Sequence, residues 1–426
     1  MDMSEGLSPG QVRNGQASAR EAVALSGESH RSDMSEGLSP GHGQKGRRPA
    51  IVFGLLHAGL ALVRSLGRSG ITVHGVALRE HEFGLRSRYL CSARLVEGEE
   101  GLLEALRSAA ASSSGARPVL FPERDENVEA LLRCWDEVRE LADVPLPDDA
   151  EITRRLRRKD VLPEVAAAAS VPSPATVRAQ SPEAIRSARL RPPLLLKAVE
   201  GQEFALTFGE KAFVANDLDH AVAGWKKAKE RGFDTVVQEL IPDSHDHVFS
   251  LFTYIGRDRR PLASVVGRKV RQSPLRFGTS AVFAAGHDAE VHELGHRLLR
   301  SAGYTGLAHV ELVRDPRDGR LKLLEVNTRP PIWAGIAMGP ELDIARVAYD
   351  DLCGTEPAEE RTMTADLTWV YLAKDVWVSA QMARRRELPP REFLRHYLRR
   401  RKVRAVFAAD DPRPALASLG YLRSRL

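Results

Sequence analysis

"GLAHVELVRDPRDGRLKLLEVNTR" occupies residues 306–329, and its reading decides the fold. Two runs of strand-forming residues flank PRDG, which is strong turn chemistry. The stretch therefore predicts an antiparallel hairpin. Side chains at i and i+2 share one face of a strand. On the second strand Glu325, Asn327 and Arg329 thus face the same way, as His309 and Glu311 do on the first. An unpaired buried carboxylate is costly, so it neutralises, pairs or binds a cation. Two carboxylates and an amide oxygen make a hard, oxygen-only donor set that suits Mg²⁺. With cations at the rim, such a set is what a transferring phosphoryl group requires. The same residues would also satisfy a structural ion-pair cluster.

The rest of the composition narrows the classes. A chain of 426 residues exceeds one ordinary core, so two or three domains are expected. Hydrophobic content of 43% and charged content of 28% are those of a globular protein. The net charge of +5 favours an anionic ligand such as a nucleotide without demanding nucleic acid. Three scattered cysteines, Cys91, Cys134 and Cys353, exclude a disulfide framework or cysteine-rich zinc site and fit a reducing cytoplasm. The longest apolar run, Ile51–Val63, contains His57 and is shorter than the ~20 residues of a membrane span. No secretory signal is visible.

Residues 1–47 are polar, repeat DMSEGLSPG at 2–10 and 33–41, and read as a disordered tail. From Arg48, "PAIVFGLLHAGLALVRSLGRSGITVHGVAL" switches from continuous to helical apolar spacing and back, a βαβ unit of a parallel sheet. Gly54 and Gly59 permit a tight turn there but do not form GxGxxG. Glu123 and Asp125 fall just past a later strand, at the ligand edge of an open sheet; helix capping by Asp125, or plain surface charge, is the other reading. Residues 194–239 read strand, turn, strand ("ALTFGEKAFVAN"), helix, strand. Antiparallel strands follow over 247–285, then a helix over 288–302 and the hairpin. The final 70 residues read as mainly helical, with an arginine-rich helix near 391–404.

Further cations accompany the hairpin. Lys197 ends the apolar run LLLK, where it either snorkels or meets a ligand. Lys159 sits in RRLRRKD. Gln238 and Glu239 lie at a strand end whose exposed backbone would read an adenine edge. GRKVRQSP supplies Arg268, Lys269 and Arg271, and alternate residues there share a face in a strand.

The order of these pieces resembles the ATP-grasp superfamily, nearest its carboxylate–amine ligase-like branch of D-aspartate ligase relatives. The resemblance runs from about Ile51 to Gly354. It implies an α/β (α+β) fold: a parallel βαβ pre-ATP-grasp domain over 48–150 and a two-lobed ATP-grasp domain over 151–356. A lid at about 191–240 and a helical C-terminal segment over 357–426 complete it. It implies ATP and one or two Mg²⁺, with Glu311, Glu325 and Asn327 as metal ligands. Lys159 and Lys197 would meet phosphate, and Gln238, Glu239, Leu240 and Ile241 would form the adenine hinge. Asp246 or His247 would meet the ribose. Arg268 or Lys269 would lie near phosphate, and Arg329 beside the acyl-phosphate or substrate carboxylate. EVNTRP is the most specific piece. The stretch VEGQEFALTFGE has only isolated glycines where relatives carry a glycine-rich flap, and Thr328 stands where relatives often have proline.

The implied activity is ATP-dependent joining of a carboxylate to an amine through an acyl-phosphate, releasing ADP and phosphate. Its partners are small molecules, with no nucleic acid and no membrane span. A homodimer is one assembly open to it. Two other readings stand beside this one. His292, Glu293 and His296 match HExxH, the motif of zinc hydrolases, although both histidines fall on the polar flank of the stripe Val291, Leu294 and Leu298. A non-catalytic nucleotide-fold protein would use the arginine-rich helix on nucleic acid or membrane. Trp333 is expected in the core or as a pocket wall.

Overall fold

The computed structural model describes residues 47–111, 116–200, 203–242, 247–275, 277–355, 359–387, 393, 397–398 and 401–423. All belong to the unit Met34–Leu426; the unit Met1–Asp33, and with it most of the expected tail, lies outside the described residues.

Strands β1 (Ala50–Phe53), β2 (Val73–Ala77), β3 (Leu90–Leu95) and β4 (Val119–Pro122) form a parallel sheet in the order β3-β2-β1-β4. β1 is a continuous apolar run because both of its faces are covered. The helix His57–Arg68 follows through Gly54, whose φ is +94° and where a Cβ would come within 2.5 Å of Asn127 Oδ1. A Cβ on Gly59 would lie 2.0 Å from the Gly54 carbonyl oxygen, so the turn needs both glycines.

A second sheet holds β5 (Thr176–Arg178), β6 (Leu194–Ala198), β7 (Phe213–Ala215) and β8 (Thr235–Glu239), antiparallel throughout, in the order β5-β8-β6-β7. It has its own core, including Ile185, Leu196, Phe204, Val222 and Val237. This lobe begins at β5, earlier than the expected lid. The strand expected across ALTF is instead the helix Glu203–Phe208. Phe204 and Phe208, one helical turn apart, meet with tilted rings 4.7 Å apart and pack on Phe213 and Phe233, which an extended chain would not allow.

The third sheet contains β9 (Val248–Ile255), β10 (Pro261–Ser273), β11 (Thr279–Gly286), β12 (Gly306–Arg314) and β13 (Leu321–Asn327). The C-terminal segment adds β14 (Arg361–Thr362) and β15 (Thr368–Val370) ahead of the helix Leu372–Arg384, and β16 (Lys402–Arg404) between that helix and the helix Arg413–Arg423. The order is β13-β12-β9-β10-β11-β15-β16, with β14 beside β10. Alternation along β9 divides two cores. Leu251 joins Val266, Val291, Leu298 and Val310 under the helix Ala289–Ser301. Phe252 joins Leu62, Val265, Trp333 and Ile344 in a core shared with the first sheet. Trp333 is thus core, 1% exposed and stacked on Phe283 at 3.6 Å.

The arginine-rich helix expected near 391–404 is cut short. Lys402–Arg404 pairs with the free edge of β15; of residues 391–401, Phe393, Tyr397 and Leu398 are helical, Arg401 is a bend, and the others lie outside the described residues. Beyond it, ADDPRP folds back on the first helix. Buried Arg64 donates from Nε to Asp411 Oδ2 at 2.9 Å and from Nη1 to the Val406 carbonyl at 2.6 Å. Ser87 Oγ and the Arg88 amide also donate to Asp411, at 2.7 and 3.0 Å. Among the described residues no helix is long and apolar enough to cross a membrane.

Removing one partner of a buried, hydrogen-bonded pair leaves an uncompensated charge. Arg64→Met is expected to lower stability by about 3–5 kcal/mol in urea unfolding. Arg68→Ala, which breaks the exposed Arg68–Asp410 pair, is expected to cost less than about 1 kcal/mol. Equal effects would show that the buried pair does not hold the C-terminal segment.

Candidate functional site

The hairpin forms as β12 and β13, and its register sets Glu311 opposite Glu325 and His309 opposite Asn327. These side chains share the face of the third sheet that packs toward the first, since their partners on β9 are Ser250 and Phe252. Like charges directly opposite repel, more so when buried. Lys269 on β10 supplies the compensation, donating from Nζ to Glu311 Oε2 at 2.9 Å. It must pass over β9, about 10 Å away across two strand spacings. The residues in its path are small, Ser250 and Gly267. Burial pushes the Glu311 carboxyl up and Glu325 adds to the rise, while Lys269 opposes it. Burial also acts to raise Glu325, but Lys269, the Asn327 hydrogen bond, Lys211 and Lys159 together hold it low.

Asn327 donates from Nδ2 to Glu325 Oε1 at 3.0 Å and accepts from Arg329 Nη2 at 3.2 Å. His309 is buried, with Nε2 3.4 Å from Glu311 Oε1 and its ring edge-on to Trp333. Burial, aided by Lys269, lowers it to about 3, so the imidazole is neutral. The donors that converge are therefore two carboxylates and one amide oxygen, all hard. That set fits Mg²⁺, and Glu311, Glu325 and Asn327 are the residues that would hold it.

Arg329 is fixed from the first sheet's side. Its Nη2 donates to Asp125 Oδ2 at 2.6 Å. Burial opposes ionisation of Asp125, yet Arg329 and Arg157 hold its carboxyl down at about 2. Asp125 is not the cap of its own helix, since that position is Arg124, and the two acids after β4 go separate ways. Asp125 reaches the site, whereas Glu123 caps the first helix, accepting from the Leu56 and Ala58 amides at 2.7 and 3.0 Å. Burial, reinforced by Glu82, raises Glu123 to about 7.

A shallow, solvent-open cleft runs between the second and third sheets, lined by Lys159, Leu162, Lys197, Val236, Gln238 and Leu323 among others. Lys197 donates to Gln238 Oε1 at 2.9 Å, and burial lowers its amine to about 8, so it keeps its charge at neutral pH. Lys159 Nζ stands 3.5 Å from the Val199 carbonyl.

Several expected placements change. Arg268 is exposed on the face opposite Lys269, as adjacent strand residues must be. A bulge at Val270 then sends Arg271 to that opposite face as well, where it donates twice to Asp375, at 2.5 and 2.8 Å. Of the three bases only Lys269 enters the site. Gln238 has no exposed backbone edge, because β8 is flanked by Thr176 of β5 and Leu195 of β6; its side chain faces the cleft instead. The Leu240 amide donates to the Pro193 carbonyl at 2.9 Å, and Glu239 accepts from the Arg191 amide at 2.9 Å. Ile241 is buried. Asp246 lies outside the described residues; His247 is exposed at the start of β9. Lys211, whose charge acts on both glutamates, was not singled out by sequence. Its cue is its place in the stretch after EFALTFGE, where a phosphate flap is sought.

No protein-family profile matches the chain. The fold is that of the ATP-grasp superfamily. It is similar to the ADP complex of purK, an N5-carboxyaminoimidazole ribonucleotide synthetase (TM-score 0.59, 14% identity, 80% of this chain and 85% of that one). It is similar to a biotin carboxylase complex from Campylobacter jejuni (TM-score 0.59, 15% identity, 75% and 74%). It also resembles an L-amino acid ligase from Bacillus licheniformis (TM-score 0.54, 16% identity, 74% and 76%). In sequence, the chain is 24% identical over 177 residues to the D-aspartate ligase of Enterococcus faecium (strain Aus0004). That match covers 40% of this chain and 42% of the ligase, so the chain spans less than half the length of the curated relative.

The Asp125–Arg329 bond joins the first sheet's domain to the hairpin. A double-mutant cycle of Asp125→Ala and Arg329→Ala, read by urea unfolding, is expected to give a coupling of roughly 0.5–3 kcal/mol. Additive losses would show that the contact does not couple them.

Proposed function

We propose that the protein is an ATP-dependent ligase that joins a carboxylate to an amine. The observation that carries this reading is the cross-strand pair Glu311–Glu325, with Asn327 beside it and Lys269 and Arg329 at its rim. The ATP-grasp fold and the cleft next to this pair support it.

Lys159 and Lys197 meet the nucleotide phosphates, and Leu162, Val236 and Leu323 wall the base. The segment Glu239–Ile241 forms the hinge beside it. Glu311, Glu325 and Asn327 would hold one or two Mg²⁺, whose charge would offset that of the phosphates and help orient the γ-phosphoryl group. Arg329, oriented by Asp125, receives the substrate carboxylate. A carboxylate oxygen attacks the γ-phosphorus and the bond to the ADP oxygen breaks, giving an acyl-phosphate and ADP. The amine nitrogen then attacks the acyl carbon, phosphate leaves, and the amine loses a proton to solvent. Lys269 stabilises charge on the transferring group. The β5–β8 lobe acts as the lid that keeps water from the acyl-phosphate. The D-aspartate ligase relative makes amino-acid carboxylates the first class to screen. The reading places the enzyme in the cytoplasm, where its unpaired cysteines would stay reduced.

Calorimetry is expected to show ATP binding that requires Mg²⁺ and weakens at least about tenfold in Glu325→Ala. Glu325→Ala and Asn327→Ala are each expected to abolish carboxylate- and amine-dependent ADP release while keeping the wild-type circular dichroism spectrum. Wild-type turnover in both variants would overturn the assignment.

A further inference from the structure

The helix Ala289–Ser301 carries HELGH, and the structure departs from its expected reading twice. His296 is not on a polar flank. It is 4% exposed, with Nε2 3.1 Å from Thr253 Oγ1 and 3.2 Å from Ser264 Oγ. Glu293, the base that a zinc hydrolase would use, is exposed to solvent. A different carboxylate completes the group. Glu360, just before β14, has Oε1 3.1 Å from His292 Nε2 and accepts from Ser264 Oγ at 3.1 Å. The two imidazole rings stand edge-on, 4.2 Å apart.

One ligand atom from each of His292, His296 and Glu360 lies within 4.8 Å of the others. Among the described residues, this is the one set of three or more His, Cys, Asp or Glu so arranged. We propose that these three residues bind a single Zn²⁺ ion as a structural clip, separate from the nucleotide cleft.

The chemistry suits that ion. Two imidazoles and one carboxylate favour zinc over magnesium, which avoids nitrogen ligands. Tetrahedral zinc with bonds of ~2.0–2.1 Å places its ligand atoms about 3.3–3.4 Å apart. The His292–Glu360 separation is already near that edge, and side-chain rotation closes the rest. The Thr253 and Ser264 hydroxyls stand where outer partners orient metal ligands. The His292 and Glu360 side chains, 26% and 31% exposed, leave a route in for the ion.

The position gives the clip its purpose. β14 pairs with β10 over only two residues, Arg361 and Thr362, opposite Ala263 and Ser264. So short a strand holds weakly by its ladder alone. An ion shared by Glu360 and the helix fastens the chain as it enters β14. Five residues further along β10, about 17 Å, is Lys269. The clip thus anchors the far end of the strand that serves the nucleotide site.

The test uses the full chain stripped with EDTA and then titrated with Zn²⁺, or with Co²⁺ as a spectroscopic probe, in excess Mg²⁺. One ion per chain, a raised melting temperature and the intense visible bands of tetrahedral Co²⁺ are expected. His292→Ala and Glu360→Gln should each weaken uptake by more than about tenfold. Their circular dichroism in EDTA should match wild type. Absence of uptake by the wild type, or undiminished uptake by both variants, would overturn the proposal.

Discussion

Two carboxylates face each other across a buried hairpin, and much of the third sheet is arranged around that repulsion. Glu311 and Glu325 are register partners, so neither can turn away without breaking the strand pairing. Compensation comes from Lys269, two strands distant, and it depends on Ser250 and Gly267 leaving a path over β9. Gly267 has a further reason to be glycine: a Cβ there would lie 2.3 Å from the Ala284 carbonyl oxygen. A lysine is the residue for such a span, having a long flexible stem and a compact charge. The same imbalance of negative charge is what a divalent cation would relieve.

The site is completed by elements that lie far apart in the chain. Arg329 leaves the hairpin and is caught by Asp125, which follows β4 of the first sheet. The first and third sheets share one core, so that bond has a stiff base on both sides. The C-terminal segment closes this arrangement by returning to the first helix through Arg64 and Asp411, a pair in which both charges are buried and hydrogen-bonded. By contrast, the β5–β8 lobe has a core of its own, which suits an element that moves as a unit over the cleft.

Much of this was legible in the residues. The βαβ opening, the β9–β11 strands and the hairpin follow from apolar periodicity and turn chemistry. Glu311, Glu325, Asn327 and Arg329 could be placed on one face because strand alternation is a local rule. Lys197 was legible as a charge ending an apolar strand. Other features were less so. The bulge at Val270 reverses the face of Arg271, and nothing in GRKVRQSP marks it. Phe204 and Phe208 form a helical pair only because Phe213 and Phe233 come to meet them. His296 reads as a polar-flank residue until Thr253 and Ser264 arrive from β9 and β10.

The sequence by itself determined the elements and the kind of chemistry that the hairpin carries, because periodicity, turns and i, i+2 spacing act between near neighbours. Only the tertiary structure decided which cation answers which carboxylate. It selected Lys269 over Arg268 and Arg271, Asp125 over Glu123, and Glu360 over Glu293. Each of those choices depends on strand order, register and burial, and these are settled by residues tens to hundreds of positions apart.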